Sequence, residues 1–192
     1  MSVLDTLVTD RSESDVEYLR SLLRKGWQNL SADEKTEYLS GALKGAYNYT
    51  DMNRVEAAVA YVAAELYAAH ATLQAYATSL GVAWDNLFDV PYNYTDYQSL
   101  TTKTDWDDED IMYVADATRY LGNLVLIAAA YETDIALPSS MNGLDYIGAN
   151  AIERLLIAID EVAAATVENI KTLIDNTAAE WFYSGELYAG EI

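Results

Sequence analysis

The residue types that most often carry chemistry are scarce in this chain. His70 is its single histidine, and it has no cysteine. One histidine cannot build a multi-histidine metal site, and no thiolate is present to complete one. A serine nucleophile would need a shaped turn such as Gly-x-Ser-x-Gly beside its histidine, and that sequence does not occur. Neither Gly-x-x-x-x-Gly-Lys-Ser/Thr nor Gly-x-Gly-x-x-Gly is found, so no loop of known type cradles phosphate. Carboxylates are abundant, and one cluster has the spacing of a calcium loop. Asp105, Asp107 and Glu109 fall at its first, third and fifth positions and Asp116 at its twelfth. Asp110 stands where that loop needs glycine, however, and Asp116 is shorter than the bidentate glutamate. The helix dipole offers a simpler reason for the acids, because negative charge is favoured at a helix start. A hydrolase pair of carboxylates needs one acid with a raised pKa in a cleft, and no such environment is marked. The expectation is a chain without catalytic residues, metal or cofactor, in which His70 packs inside a helix.

Aromatic residues are the more unusual resource. The sixteen tyrosines gather at helix starts and in linkers. Tyrosine suits interfaces, because it buries area while keeping a polar tip. The candidate interface residues are Tyr47, Tyr49, Tyr92, Tyr94, Tyr97, Trp106, Trp181, Phe182, Tyr183, Leu187 and Tyr188. The same chemistry stacks on sugars, so a receptor- or glycan-binding module using Tyr94, Trp84, Trp106 and Trp181 is the alternative.

The elements that would position these residues read as helices. The chain has 192 residues, 52 % of them hydrophobic, enough for one bundle with a core of its own. Ser12 or Ser14 caps a first short helix that stops at Gly26, and Ser31 with Glu34 has the spacing of a capping box for a second. Thr50 opens a long helix in which Val55, Val59, Val62, Leu66, Ala69, Leu73, Tyr76 and Leu80 form a heptad seam ending at Gly81. A second long helix is expected from Asp107 to about Tyr131 on the seam Ile111, Val114, Thr118, Leu121, Val125 and Ala128. In it Gly122 would mark a close helix crossing. A third runs from about Asp145 to Trp181 with two adjacent stripes, Ile152, Leu155, Ile159, Val162 and Thr166 beside Leu156, Ala163, Val167, Ile170 and Ile174. The fold class predicted is all-α, an antiparallel bundle of three long helices preceded by two short ones. Its parts are a short-helix segment at 1–46, the bundle at 47–182 with linkers at 81–106 and 132–144, and an extended attachment tail at 183–192.

Charge narrows the partners. Thirty-one acidic against eleven basic residues give a net −20, which disfavours nucleic acid and anionic membranes. No run approaches the roughly 18 apolar residues of a spanning helix, and Met1–Asp10 lacks the basic start of a secretory signal. Tyr49-Thr-Asp-Met-Asn-Arg-Val-Glu56 aligns with Tyr146-Ile-Gly-Ala-Asn-Ala-Ile-Glu153 and more loosely with Tyr113–Arg119, where Arg119 corresponds to Arg54. This reads as a duplicated helix-start module.

The segments Lys44–Glu56, Lys103-Thr-Asp-Trp106, Asn142–Glu153 and Trp181–Glu191 resemble small structural proteins of tailed bacteriophages and prophages of Firmicutes. The likeness covers residues 9–191. It implies a virion component of the tail, baseplate or fibre region, with other virion proteins as partners; the lack of a signal segment fits synthesis in the host cytoplasm, and symmetric self-association as a trimer or hexamer would suit a tail. It brings no catalytic residue with it.

Overall fold

The computed structural model describes residues 2–84, 87, 94–129 and 134–186. Among the described residues there are five α-helices and no strand. They are α1 (Glu13–Lys25), α2 (Ala32–Leu39), α3 (Tyr49–Ser79), α4 (Val114–Ala128) and α5 (Tyr146–Glu186). The all-α class with three long helices after two short ones is therefore what the chain adopts. No described helix is long and apolar enough to cross a membrane.

Two compact units form, residues 1–62 with 100–159, and 63–99 with 160–192. Helices α3 and α5 both begin in the first and end in the second.

In the first unit the short helices obey local rules. Ser12 caps α1 and exchanges hydrogen bonds with Asp15, and Gly26 ends it at φ +75°, a conformation that favours glycine. Ser31 and Glu34 form the expected box on α2, which ends at Leu39. Leu19 and Leu22 of α1 pack with Leu30 and Leu43. Gly45 lets the following loop lie against α1, where a Cβ would meet the Asp15 carbonyl oxygen at 2.2 Å. The long helices contribute Val55, Val59 and Val62 from α3, Leu124 and Ile127 from α4, and Ile152, Leu155, Leu156 and Ile159 from α5, all buried. Each such side chain stabilises the fold by about 1.5–3 kcal/mol.

The second unit centres on Leu73 and Ala77 of α3, Val82, Trp84, and Ile174 and Ala178 of α5, with Tyr76, Val167 and Ile170 against them. The Tyr76 hydroxyl donates to Asp175 at 2.5 Å.

Several expectations are corrected. Along α3 the buried line runs Leu66, His70, Leu73, Ala77, rather than through Ala69, Tyr76 and Leu80. A straight helix of 3.6 residues per turn drifts from a strict heptad, and the line shifts by one residue to compensate. Helix α4 starts at Val114, because Asp107 and Asp110 close a tight turn of their own. Its buried face is Tyr120, Asn123, Leu124 and Ile127, whereas of the expected seam Ile111, Val114, Thr118 and Val125 are exposed and Leu121 and Ala128 half-buried. Gly122 has open space at its Cβ position, so it marks no crossing. Helix α5 continues through Phe182 and Tyr183 to Glu186, five residues past the point where sequence periodicity stops.

Candidate functional site: two reciprocal clamps at the helix starts

The polar side chains of the first unit converge on two arrangements of the same design. On α5, Asn150 and Glu153 lie three residues apart and so share a helix face. The Arg11 N–H donates to the Asn150 side-chain Oδ1 at 3.0 Å, and the Asn150 Nδ2 donates back to the Arg11 backbone carbonyl at 2.8 Å. Three residues upstream, the Val8 N–H donates to Glu153 at 2.5 Å. On α3, Asn53 and Glu56 repeat the spacing. The Trp106 N–H donates to Asn53, whose amide donates to the Trp106 carbonyl, both at 2.8 Å. Three residues upstream again, the Lys103 N–H donates to Glu56 at 3.1 Å. A primary amide carries both an acceptor and donors, so it can satisfy the N–H and C=O of one extended residue at once, as a neighbouring strand would.

The clamped segments are themselves related. Thr9-Asp10, Asp15, Val16 and Tyr18 recur in register as Thr104-Asp105, Asp110, Ile111 and Tyr113. Both copies turn alike just after the clamp, with the Ser12 N–H donating to Asp15 and the Asp107 N–H to Asp110. The early segment sits on the late helix and the later segment on the early helix, so the two halves are held by exchange. The helix half of this duplication is legible in the sequence as the Tyr49 and Tyr146 repeat. The segment half carries no helical period, because it falls in caps and linkers.

Charge completes each clamp. Glu153, fully buried, also accepts from Arg11 at 2.6 Å and from two nitrogens of Arg54 at 3.1 and 3.0 Å. Asp51 accepts from Arg11 at 2.7 Å and also from Arg54. Two guanidinium groups thus meet two carboxylates, which is the condition for holding such charges out of water. Burial opposes the charge on Arg54, but hydrogen bonds and attraction from Glu153 and Asp51 prevail and raise its pKa above the ordinary arginine value. In the other clamp Arg119 of α4 grips Glu56 at 2.7 and 2.6 Å. Arg119 and Asn123 also donate to the Thr101 carbonyl. Arg119 and Arg54, matched in the sequence, each hold a clamp glutamate.

The aromatic candidates fall into three groups. Tyr47 lies half-buried over the Arg11 guanidinium, 5.4 Å from its ring centroid, and shares a 2.5 Å hydrogen bond with Tyr120. Burial pushes the hydroxyls of both upward, so they stay neutral. Trp106 is 4 % exposed, with the Lys103 ammonium 4.1 Å from its ring centroid, and Tyr97 is buried in a 3-10 turn of the second unit. Neither offers a ring to a partner or a sugar. Tyr49, the first residue of α3, remains partly accessible. Tyr92, Leu187 and Tyr188 lie outside the described residues, as do the side chains of Tyr94, Trp181, Phe182 and Tyr183.

Elsewhere the chemistry-bearing residues are turned to structure. The His70 Nδ1 lies 2.6 Å from the Leu66 carbonyl, and burial holds its pKa below the usual range. Asp107 accepts from the N–H groups of Glu109 and Asp110, which makes it a turn residue. Among the described residues no group of His, Cys, Asp or Glu has the arrangement of a metal site. A cavity of about 340 Å³ beside the first clamp is lined by Arg11, Arg20 and Lys44. Their charges already meet Glu153 and Asp51, Glu17, and Asp10 respectively.

The fold and site define a class: an all-helical, strongly acidic protein whose buried polar side chains hold its own backbone in place. No family model, curated protein or solved structure matches the chain.

Proposed function

We propose that this chain is a non-enzymatic structural and assembly protein of a phage virion, belonging to the tail, baseplate or fibre region. The observation that carries the non-enzymatic part is the pair of reciprocal clamps. Asn53, Glu56, Asn150 and Glu153 make their hydrogen bonds with backbone and with paired arginines. Such groups make a rigid support, and the surface around them is left for contacts. The virion setting rests on the resemblance of residues 9–191 to phage structural proteins. Self-association as a trimer or hexamer belongs to the same proposal and is read from mass in solution. The glycan-binding alternative loses support, because Trp106, Trp84 and Tyr97 are buried.

The test is proteomic. Particles induced from a host carrying this gene are purified on a density gradient, and their protein content is measured by mass spectrometry. Labelled antibody then locates the chain on the particle by electron microscopy. Stoichiometric presence at the tail or baseplate supports the reading. Presence only in the cell lysate, with particles complete and infectious without it, overturns it.

A further inference from the structure

We propose that the water-facing stripe of α4, together with the groove beside it, is a docking face for a basic amphipathic helix of a partner protein. Ile111, Val114 and Val125 are 68, 84 and 59 % exposed. Along α4, Val114 and Val125 with the exposed Thr118 and the half-buried Leu121 keep the alternating four- and three-residue steps of a helix-pairing seam, and Ile111 stands exposed in the segment just before the helix. The opposite face of α4 is already buried through Tyr120, Asn123, Leu124 and Ile127. An exposed apolar face of this kind marks a contact site. The period says that the contact is a helix, because a 3.5-residue repeat stays aligned only with another helix.

The groove gives the helix a seat. It measures about 530 Å³ and runs between Met112 and Tyr113 with the first two turns of α4, as far as Leu121, on one side and Ser139–Asn142 on the other.

Charge selects the partner. From Thr104 to Thr118 the chain carries six acidic residues and no basic one. Lys103 pairs with Asp105 and Asp110, while Asp107, Asp108 and Glu109 stand exposed on the turn that leads into the groove. A second copy of this chain would bring another acidic turn, and a net charge of −20, against this one. A helix with leucine-type residues on one side and Lys or Arg flanking them meets both the apolar stripe and the acids. Opposite charge would also speed its arrival, and salt would slow it.

This inference deepens the assembly reading by naming the kind of partner, and it is tested without any particle. The full-length chain is titrated with a synthetic peptide of Leu and Lys at heptad spacing, and with a counterpart in which Glu replaces Lys. Heat of binding and peptide helicity are followed. Val114→Asp removes an apolar anchor, and aspartate is favoured in a first helical turn, so the variant should keep its helical content. The control is Val162→Asp, at a residue 39 % exposed in the second unit. The Leu/Lys peptide is expected to bind and fold, with Val114→Asp weakening it at least about tenfold and the control leaving it unchanged. Three outcomes overturn the proposal. Val114→Asp and the control could behave alike, which would mean bare attraction to an acidic surface. The Leu/Glu peptide could bind equally well. Val114→Asp could instead dissociate an oligomer of the chain, which would assign the face to a second copy. Absence from virions would sink the assembly reading and leave the peptide result standing, so the two failures are distinct.

Discussion

Replacing Glu153 with glutamine is the sharpest test of the clamp. The side chain keeps its shape and loses its charge. Oε2 accepts from the Val8 N–H at 2.5 Å and from Arg54 Nε at 3.1 Å, and Oε1 accepts from Arg11 at 2.6 Å and Arg54 at 3.0 Å. Whichever way the new amide turns, its NH2 group faces two donors, so two of the four bonds are lost. Hydrogen bonds to charged groups contribute about 1.5–3 kcal/mol each. The loss also leaves Arg11 and Arg54 with Asp51 alone, and breaking a buried pair costs about 3–5 kcal/mol. These describe one event from two sides, so the expected cost is about 4 kcal/mol. At about 2–4 °C per kcal/mol for a chain of this size, the thermal midpoint should fall by about 8–16 °C. Glu56→Gln is the built-in comparison. Its partner Arg119 has a side chain 24 % exposed, against 2 % for Arg11. Water can therefore replace part of what is lost, and the cost should be about half as large. Urea unfolding followed by circular dichroism reads both. A cost below about 1 kcal/mol for Glu153→Gln, or a larger one for Glu56→Gln, would refute the argument that buried charge balance decides the difference.

Three further outcomes are expected. Asn150→Ala and Asn53→Ala each delete two backbone hydrogen bonds and should cost about 2 kcal/mol; hydrogen exchange should quicken at the Arg11 amide in the first and at the Trp106 amide in the second, and crossed protection changes would argue against separate clamps. Gly122→Ala fills open space in a helix and should stabilise by about 0.5–1 kcal/mol, whereas Gly45→Ala drives a methyl into the Asp15 carbonyl and should destabilise by about 1–3 kcal/mol, both read from thermal midpoints. His70 has a folded pKa below its unfolded value because burial disfavours the imidazolium, so the unfolded chain binds the extra proton; stability should decline as pH falls below about 6.5, and His70→Met should flatten that part of the difference between wild type and variant in melts at successive pH values.

How far the sequence reveals this molecule depends on which interactions decide each feature. Local chemistry was legible: Ser12, Ser31, Glu34 and Gly26 sit at the caps that their types imply. The α3 seam was legible as far as Leu66 and then diverged, because the drift of a straight helix moved His70 and Ala77 inward. The inner face of α4 was not legible. Its heptad pattern is real, but Arg119, Tyr120 and Asn123 turn the opposite side inward through Glu56, Tyr47 and the Thr101 carbonyl. Hydropathy cannot weigh an arginine paired with a buried glutamate against an apolar stripe. The start of α4 was misplaced for a similar reason: the acids from Asp107 to Asp110 suit a helix start in general, yet here Asp107 and Asp110 bind each other's backbone. The clamp residues Asn53, Glu56, Asn150 and Glu153 stood in the aligned repeat, but only their partners show what the repeat is for.

Those partners lie far apart in sequence, and this ties the clamp to the exposed face of α4. The Val8–Glu153 bond spans 145 residues and the Lys103–Glu56 bond spans 47. Neither can close until both halves of the first unit are in place. Glu56 then has two duties at one carboxylate, since its Oε2 accepts from the Lys103 N–H and from Arg119. The first contact fixes the segment that leads into the acidic turn at Asp107. The second fixes the rotation of α4 about its own axis, because Arg119 can reach Glu56 only when Tyr120, Leu124 and Ile127 face inward. With α4 so rotated, Val114 and Val125 have no course but outward. One buried glutamate therefore sets the acidic turn and the apolar stripe in a fixed relation. A basic helix, whose charged and apolar residues are equally fixed on its own surface, requires that of its seat.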